Sequence, residues 1–424
     1  MAADLLRIAT PDELPQARRG AVDRETLDLA RLIVDDVREH GEAALRRHAE
    51  RLGDIGPGDP LVIPAGRLNE ALAALDPGSR AVLERTADRI RIFAAAQLAS
   101  LGETETPLPG GWAGQVVAPV ERAGCYAPGG RFPLPSSVLM TAVTARVAGV
   151  SEVWVASPRP APVTLAAAAL AGADGLLAAG GAQAIAALAY GAGPIPRCDM
   201  VAGPGNRFVT AAKQLVAGYV GIDMLAGPSE LVVLADGTAD PSWIAADLLA
   251  QAEHDPDALP ILVTTDRALA GSVNAELERQ ITDLPTARTA RAALANGLAV
   301  LAPDIESAIG ICDRLAPEHL ELHTRDAAEI APRFSHYGAI FIGARAAEVL
   351  GDYGAGPNHT LPTGGTARYK GGLSVFDFLR VRTWLRIDDS GQAAVLIEDA
   401  GRMAEIEGLV AHARAARLRA RTPS

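Results

Sequence analysis

The sequence predicts an α/β protein: two units of parallel-rich sheet with helices on their faces, and small helical segments at both ends. Three observations lead there. The chain has 424 residues, too many for one ordinary core, so two or more domains are expected. Hydrophobic residues make up 49% and charged residues 21%, a globular balance with ample apolar material for large cores. From about Gln115, short β-branched runs alternate with Ala-rich helical stretches, the rhythm of parallel strands joined by crossover helices.

The elements follow in chain order. Residues 1–22 form an N-terminal arm. Apolar residues recur at helical spacing from about Arg24 to Leu52 and again from about Pro77 to Ala99, the second stretch with Asp76 as N-cap. Gly102 to Gly114, rich in Pro, Gly and Thr, reads as a connection or hairpin. The first α/β run has strands GQVVAPV, SEVWVAS, DGLLAA and CDMVAG, with SSVLMTAVTARVAG, VTLAAAALAGA and AQAIAALAYGAG as helices between them. A second run places strands at LVVLAD, ILVTTD, LAVLAP and AIFIG, with helices such as SWIAADLLAQAEHD and NAELERQITD. VRTWLRI reads as a further strand, and about Asp388 to Arg421 as a helical tail.

Composition also excludes partners. With 39 basic and 51 acidic residues the net charge is −12, which favours solubility and argues against nucleic acid. The basic run Arg414, Arg417, Arg419, Arg421 reads as a solvated helix end. Cys125, Cys198 and Cys312 are few, odd in number and far apart, so neither a disulfide framework nor a thiolate metal site is expected. The start MAADLLRIATPDELPQARRG has no leader pattern. Val163 to Ala192 is apolar, yet Asp174 and several glycines interrupt it, so it reads as buried α/β and not as a membrane span. The expected location is the cytoplasm.

Several residues could carry chemistry. Gln251 and His254 in DLLAQAEHDP lie three apart near a helix end, on one face. Imidazole plus amide oxygen suits a borderline metal such as Zn²⁺, although a helix-end histidine is also a common cap. Asp352 in GDYGAGPNH sits in a glycine-rich loop, as a turn residue or a ligand. Glu318 and His319 in LAPEHLEL are adjacent; both can face one cleft only from an irregular stretch. Histidine exchanges protons near neutral pH, and a carboxylate can activate water. No GxGxxG is present, so the usual dinucleotide fingerprint is missing. GPGN at 203–206 and GGAQ at 180–183 open helices, suitable places for a phosphate or a nearby group. A nucleotide held without the tight glycine turn is expected to bind loosely.

The ordered blocks GCYAPGGRFPLPSSVLM, GGAQAIAALAYG, GPGNRFVTAAK, IDMLAGPSE, ADLLAQAEHDP, APEHLEL, GDYGAGPNHTLPTGGTAR and EGLVAH together resemble the histidinol dehydrogenase family over nearly the whole chain. The resemblance implies two Rossmann-like units in an intertwined homodimer. Gln251, His254 and Asp352 match the family's ligands for one zinc ion per subunit, and His412 in the helical tail matches a fourth, supplied by the other subunit. Ser229, His359 and Glu407 match substrate-binding positions, alongside the ligands and His319. His319 matches the general base and Glu318 the residue that activates water. Tyr126, Gln183 and Asn206 match NAD contacts. The implied division is 23–125 with 229–380 as the domain carrying metal and catalytic residues, 126–228 as the NAD-contacting domain, and 381–424 as an arm reaching the partner's site.

The implied reaction is the four-electron oxidation of L-histidinol to L-histidine by NAD⁺, through a retained aldehyde. Tyr369-Lys370-Gly371 departs from the small, Ser-rich stretch the family pattern suggests. A paralogous zinc and NAD dehydrogenase of another small polar alcohol, a zinc hydrolase and a non-catalytic binding protein are the alternatives.

Overall fold

A computed structural model describes residues 4–14, 20, 22–129 and 132–420. The chain opens with strand β1 (Arg7–Ala9) and the long Arg24–Arg51 helix. Asp23 caps that helix by accepting from the Thr26 N–H at 2.8 Å, and Gly41 bends it with φ 55°, an angle that needs no Cβ. Strand β2 (Val62–Pro64) leads to helices Ala65–Ala74 and Pro77–Ala99. Asp76 caps the latter, accepting from Ser79 N–H at 2.9 Å. Strands β3 (Thr104–Leu108) and β4 (Gly111–Pro119) form the expected hairpin, antiparallel in register.

The next strands are β5 (Arg122–Tyr126), β6 (Glu152–Ala156), β7 (Gly175–Leu177), β8 (Met200–Ala202) and β9 (Gly221–Ile222). They build a six-stranded sheet in the order β2-β7-β6-β5-β8-β9, parallel except for the edge strand β2. Helices bury both of its faces. The Arg24–Arg51, Gly181–Tyr190 and Arg207–Val216 helices share one apolar cluster with it, and the helices at 65–99, 135–147 and 162–170 share the other. Strands buried on both sides read as near-continuous apolar runs, which is why they were legible.

Strands β10 (Glu230–Ala235), β11 (Leu259–Thr264), β12 (Leu298–Leu301), β13 (His319–His323) and β14 (Ala339–Ile342) complete a second six-stranded sheet. Its order is β1-β12-β11-β10-β13-β14 and its pairings are parallel. Strand β15 (Leu379–Ile387) adds to the β3–β4 hairpin as a three-stranded sheet, from which the Ala394–Ile406 and Val410–Arg419 helices hang. Among the described residues, no helix is long and apolar enough to cross a membrane.

Several expectations need correction. The domain boundary expected at 125/126 cuts through the first sheet, because β5 lies at its centre and the Arg24–Arg51 helix packs on that unit. Residues 23–125 therefore belong largely with 126–228, not with 229–380. The N-terminal arm is not free-standing, since β1 is the edge strand of the second sheet; residues 1–3, 15–19 and 21 of that arm lie outside the description, as do 130–131 and 421–424. GQVVAPV belongs to the antiparallel hairpin, and the run at Arg122–Tyr126 supplies the parallel strand instead. Local pattern cannot tell which sheet captures a strand; partners far along the chain decide it.

At the carboxyl ends of β5 and β8 the backbone closes tightly. A Cβ on Gly203 (φ +124°) would lie 2.0 Å from the Tyr126 carbonyl oxygen. The turn is held from beneath by a buried ion pair, Lys213 with Asp223. Lys213 Nζ donates to Gly203 O at 2.9 Å and Asp223 Oδ2 accepts from Gly203 N–H at 2.8 Å. Replacing Lys213 by Ala would leave Asp223 buried without its cation, a loss of about 3–5 kcal/mol. Denaturant unfolding of Lys213→Ala should show that loss, and a change below about 1 kcal/mol would contradict the role given to the pair.

Candidate functional site

Three elements of the second sheet converge at the amino ends of β10 and β13. The Pro241–Ala252 helix starts under an Asp240 cap, whose carboxylate accepts from Ser242 N–H at 2.8 Å. It delivers Gln251 on its last turn, fully buried, and His254 just beyond, half-exposed. Strand β13 begins with His319, and Glu318 immediately precedes it. The short Glu348–Asp352 helix brings Glu348 and Asp352 four apart on one face.

These side chains form one cluster. His254 Nε2 stands 3.7 Å from Asp352 Oδ2, and His319 Nε2 stands 3.8 Å from Asp352 Oδ1. His254, Glu348 and Asp352 place ligand-type atoms within 4.8 Å of one another. In the amide orientation that satisfies both partners, the Gln251 nitrogen donates to Glu348 Oε1 at 2.9 Å. The carbonyl oxygen of Gln251 is then free to act as a donor to a cation. One amide oxygen, one imidazole and carboxylates make an all N/O set, which fits Zn²⁺.

His319 is oriented from behind. Its Nδ1 lies 3.1 Å from the Glu230 carbonyl, so the proton on Nδ1 is donated there and Nε2 keeps the lone pair. That Nε2 is buried with no hydrogen-bond partner among the described residues. Burial pushes the His319 imidazole below the usual histidine range, with the Asp352 carboxylate opposing. Burial pushes Glu318 well above the ordinary carboxylate range, although its Oε2 accepts from Glu230 N–H at 2.9 Å. Glu348 is raised in the same direction by burial and then by the Asp352 charge. A basic ring nitrogen and a carboxylic acid side by side, both withheld from water, are groups able to exchange protons.

Two expectations of local structure change. Asp352 closes a short helix, with the glycine-rich loop after it, and His319 is a strand residue. The Glu–His pair faces one cleft because Glu318 lies just outside the ladder, where the alternation of β13 does not yet apply.

His359 joins the cluster from the loop after Asp352. Its Nδ1 contacts the Asp352 carbonyl at 2.8 Å and its Nε2 lies 3.4 Å from Ser137 Oγ, which belongs to the first sheet's unit. Ser229 precedes β10, its carbonyl accepting from Leu259 N–H at 3.0 Å. The neighbouring turn is tied across by Thr363 Oγ1, which accepts from Gly227 N–H at 2.6 Å. Glu407 and His412 are exposed on the C-terminal arm. Among the described residues, His412 joins no metal-type cluster of its own chain.

The dinucleotide candidates lie at the carboxyl edge of the first sheet, where such folds hold nucleotides. Tyr126 OH accepts from Gly181 N–H at 3.2 Å. Gln183 is almost wholly buried and donates to Asp54 at 2.8 Å, which leaves its Oε1 without a partner. Asn206 caps the Arg207–Val216 helix through Oδ1, accepting from Phe208 and Val209 N–H, so its amide nitrogen remains for a ligand. The Tyr369-Lys370-Gly371 departure is anchored by Lys370 pairing with Asp377, while Tyr369 is exposed.

Sequence reasoning missed Glu348 and Ser137. Glu348 had one available signal, its i, i+4 spacing to Asp352 on a helix. Ser137 had none, because only the meeting of the two units gives it His359.

The family model described as histidinol dehydrogenase matches residues 16–420. A histidinol dehydrogenase of Thermus thermophilus is 48% identical over 406 residues, covering 95% of this chain and 97% of that protein. One of Pseudomonas putida is 43% identical over 406 residues, covering 94% and 91%. A crystal structure of histidinol dehydrogenase from Elizabethkingia anophelis superposes with TM-score 0.92 at 30% identity, covering 99% of each chain.

The burial of His319 and His359 makes a prediction for metal-free protein. Both rings are pushed down by desolvation, so each stays neutral until the pH falls below the usual histidine midpoint of about 6.5. Their NMR titrations should run below that value. A midpoint at or above it for His319 would contradict the buried-base arrangement.

Proposed function

The chain belongs to the histidinol dehydrogenase family, an oxidoreductase family, and on that premise we propose that it oxidises L-histidinol to L-histidine with zinc and NAD⁺. The observation that supports this reading is the convergence of Gln251, His254, His319 and Asp352, from three separate elements, around one partner-free ring nitrogen. The same reading places the enzyme in the cytoplasm, at the last step of histidine synthesis.

Gln251, His254 and Asp352 would hold the ion, with His412 of the partner subunit as fourth ligand. When bound, the zinc ion would supply a binding point for the substrate's nitrogens and the dinucleotide would supply the hydride acceptor. Tyr126, Gln183 and Asn206 would contact that dinucleotide. Ser229, His359 and Glu407 of the partner subunit would orient the substrate.

The chain's own groups handle the protons. In the first oxidation, His319 Nε2 takes the hydroxyl proton as hydride leaves the carbon, giving the aldehyde. Burial favours this, because a ring kept neutral at pH 7 is already a base. Water then adds to the aldehyde: Glu318 takes the water's proton while protonated His319 gives its proton to the carbonyl oxygen, which completes the hydrate and frees His319 Nε2. Glu318 must be ionised to do so, and its raised pKa makes this step faster as pH rises. In the second oxidation, His319 takes the proton of the hydrate as the second hydride leaves, giving the acid. On this reading the reactive aldehyde stays bound between the two oxidations.

Exposed apolar residues on the arm support dimerisation. Val395 (67%), Ile406 (69%) and Val410 (67%) are open to solvent in the single chain, a surface that a second subunit would bury.

Purified protein should reduce NAD⁺ with L-histidinol, lose that activity on chelation, and regain it with Zn²⁺. Turnover without NAD⁺ would favour hydrolysis instead. His319→Asn should fold normally and lose about 10²–10⁴-fold in rate.

Sharing of sites is tested by mixing. Inactive His319→Asn and inactive His412→Ala chains, refolded together in equal amounts, should recover about a quarter of wild-type activity if two-fold dimers form at random. A mixture no more active than its parents would remove the shared-site reading.

A further inference from the structure

Asp54 is a nearly buried carboxylate to which the reaction above gives no part. It stands just past the Arg24–Arg51 helix, and the end of that helix fixes it. Leu52 is the C-cap and Gly53 follows with φ +73°. Gly53 N–H donates to Glu50 O at 3.1 Å, and Asp54 N–H donates to Ala49 O at 2.8 Å. Those two bonds, from the first and second residues past the cap, are the Schellman pattern, which the positive φ of glycine permits. The helix packs on the first sheet, so the Asp54 backbone is held in one place against it.

From there the side chain reaches the turn before the Gly181–Tyr190 helix. Asp54 Oδ2 accepts from Gly180 N–H at 2.9 Å and from Gln183 Nε2 at 2.8 Å. Gly180 is the N-cap of that helix and has no side chain to cap it with. Gln183 is the third helical residue, from which a glutamine ordinarily reaches back with its oxygen to accept from the N-cap N–H. Asp54 already takes that N–H, so the amide is turned round. A carboxylate only accepts, and the amide nitrogen must therefore be the end that faces it.

The consequence is an acceptor with nothing to accept. Gln183 Oε1 is buried and has no hydrogen-bond partner among the described residues. A Cβ on Gly181 (φ +60°) would press on that oxygen at 3.1 Å, so glycine leaves it uncovered on that side. The turn lies beyond the carboxyl end of β7 and beside the Tyr126 hydroxyl, which accepts from Gly181 N–H. A buried acceptor of this kind is unfavourable until a ligand brings it a donor.

We propose that Asp54 is a positioning residue for the dinucleotide: it pins the Gln183 amide so that the oxygen meets a hydroxyl or amino donor of the cofactor. The inference rests on the reading of Gln183 as an NAD⁺ contact. Asp54 acts through Gln183 and the turn and does not itself touch the cofactor. Its negative charge also fills the start of the Gly181–Tyr190 helix, which disfavours a phosphate there. The partner of Gln183 is thus a ribose, adenine or carboxamide donor of the cofactor and not its pyrophosphate.

The test compares full-length, zinc-loaded variants by the dissociation constant for NADH, read from its fluorescence, and by the separate KM values for NAD⁺ and L-histidinol. Asp54→Ala should weaken NADH binding about tenfold, the order of one oriented hydrogen bond, with KM for NAD⁺ rising alike. KM for L-histidinol and zinc content should stay within about twofold of wild type. Asp54→Asn keeps the shape but offers a donor as well as an acceptor, so the Gln183 amide is no longer forced one way. It should shift NADH binding in the same direction, and it covers the case in which Asp54→Ala does not fold. The double variant Asp54→Ala/Gln183→Ala should bind NADH no worse than Gln183→Ala alone, because Asp54 works through that amide. Weakened NADH binding in Gln183→Ala but not in the Asp54 variants overturns the proposal and leaves the cofactor reading intact. So does an equal rise in both KM values with loss of zinc, or a double variant whose losses multiply. Unchanged NADH binding in Gln183→Ala overturns the cofactor reading of that residue, and the role of Asp54 falls with it.

Discussion

The site depends on keeping polar groups inside the core between β13 and the Pro241–Ala252 helix. Gln251 is wholly buried there, and a buried amide without partners is costly, roughly 1–3 kcal/mol for each unmet group. Its bond to Glu348 meets that demand and also orients the amide. Because the nitrogen is occupied by Glu348, the oxygen is the atom left to face His254 and Asp352. One buried hydrogen bond therefore sets the donor geometry of the cluster. It also explains why Glu348 stays in the core although it never stood out in the sequence.

The neighbouring constraint is the backbone of Glu230. Its carbonyl holds one nitrogen of His319 and its N–H holds Glu318. A single residue of β10 thus orients both Glu318 and His319, which a strand pairing in register makes possible. Burial then drives the two in opposite directions: the imidazole toward its neutral form, the carboxyl toward its acid form. The same withdrawal from water therefore favours a proton-accepting His319 and a proton-holding Glu318.

The two units divide the work. The second sheet gathers ligand-type side chains at its amino edge, and the first presents Tyr126, Gln183 and Asn206 at its carboxyl edge. The contact of Ser137 with His359 and that of Thr363 with the Gly227 turn lock the facing loops. The absent GxGxxG is consistent with the turn at Gly203, where glycine serves a close approach to Tyr126 and a buried Lys213–Asp223 pair supports the loop.

The sequence by itself determined the α/β class, the helices from Arg24 and Pro77, the strands buried on both faces, and the candidate residues Gln251, His254, Glu318, His319 and Asp352. These were legible because period, caps and ordered motifs are local properties of the chain. Only the tertiary structure decided that β2 and β5 complete the first sheet, that β1 edges the second, that Asp352 ends a helix and that Ser137 meets His359. It also decided the protonation bias of Glu318 and His319. Strand partnership and burial arise from contacts between segments a hundred or more residues apart. Desolvation depends on everything packed around a group, and that information is absent from any local window of sequence.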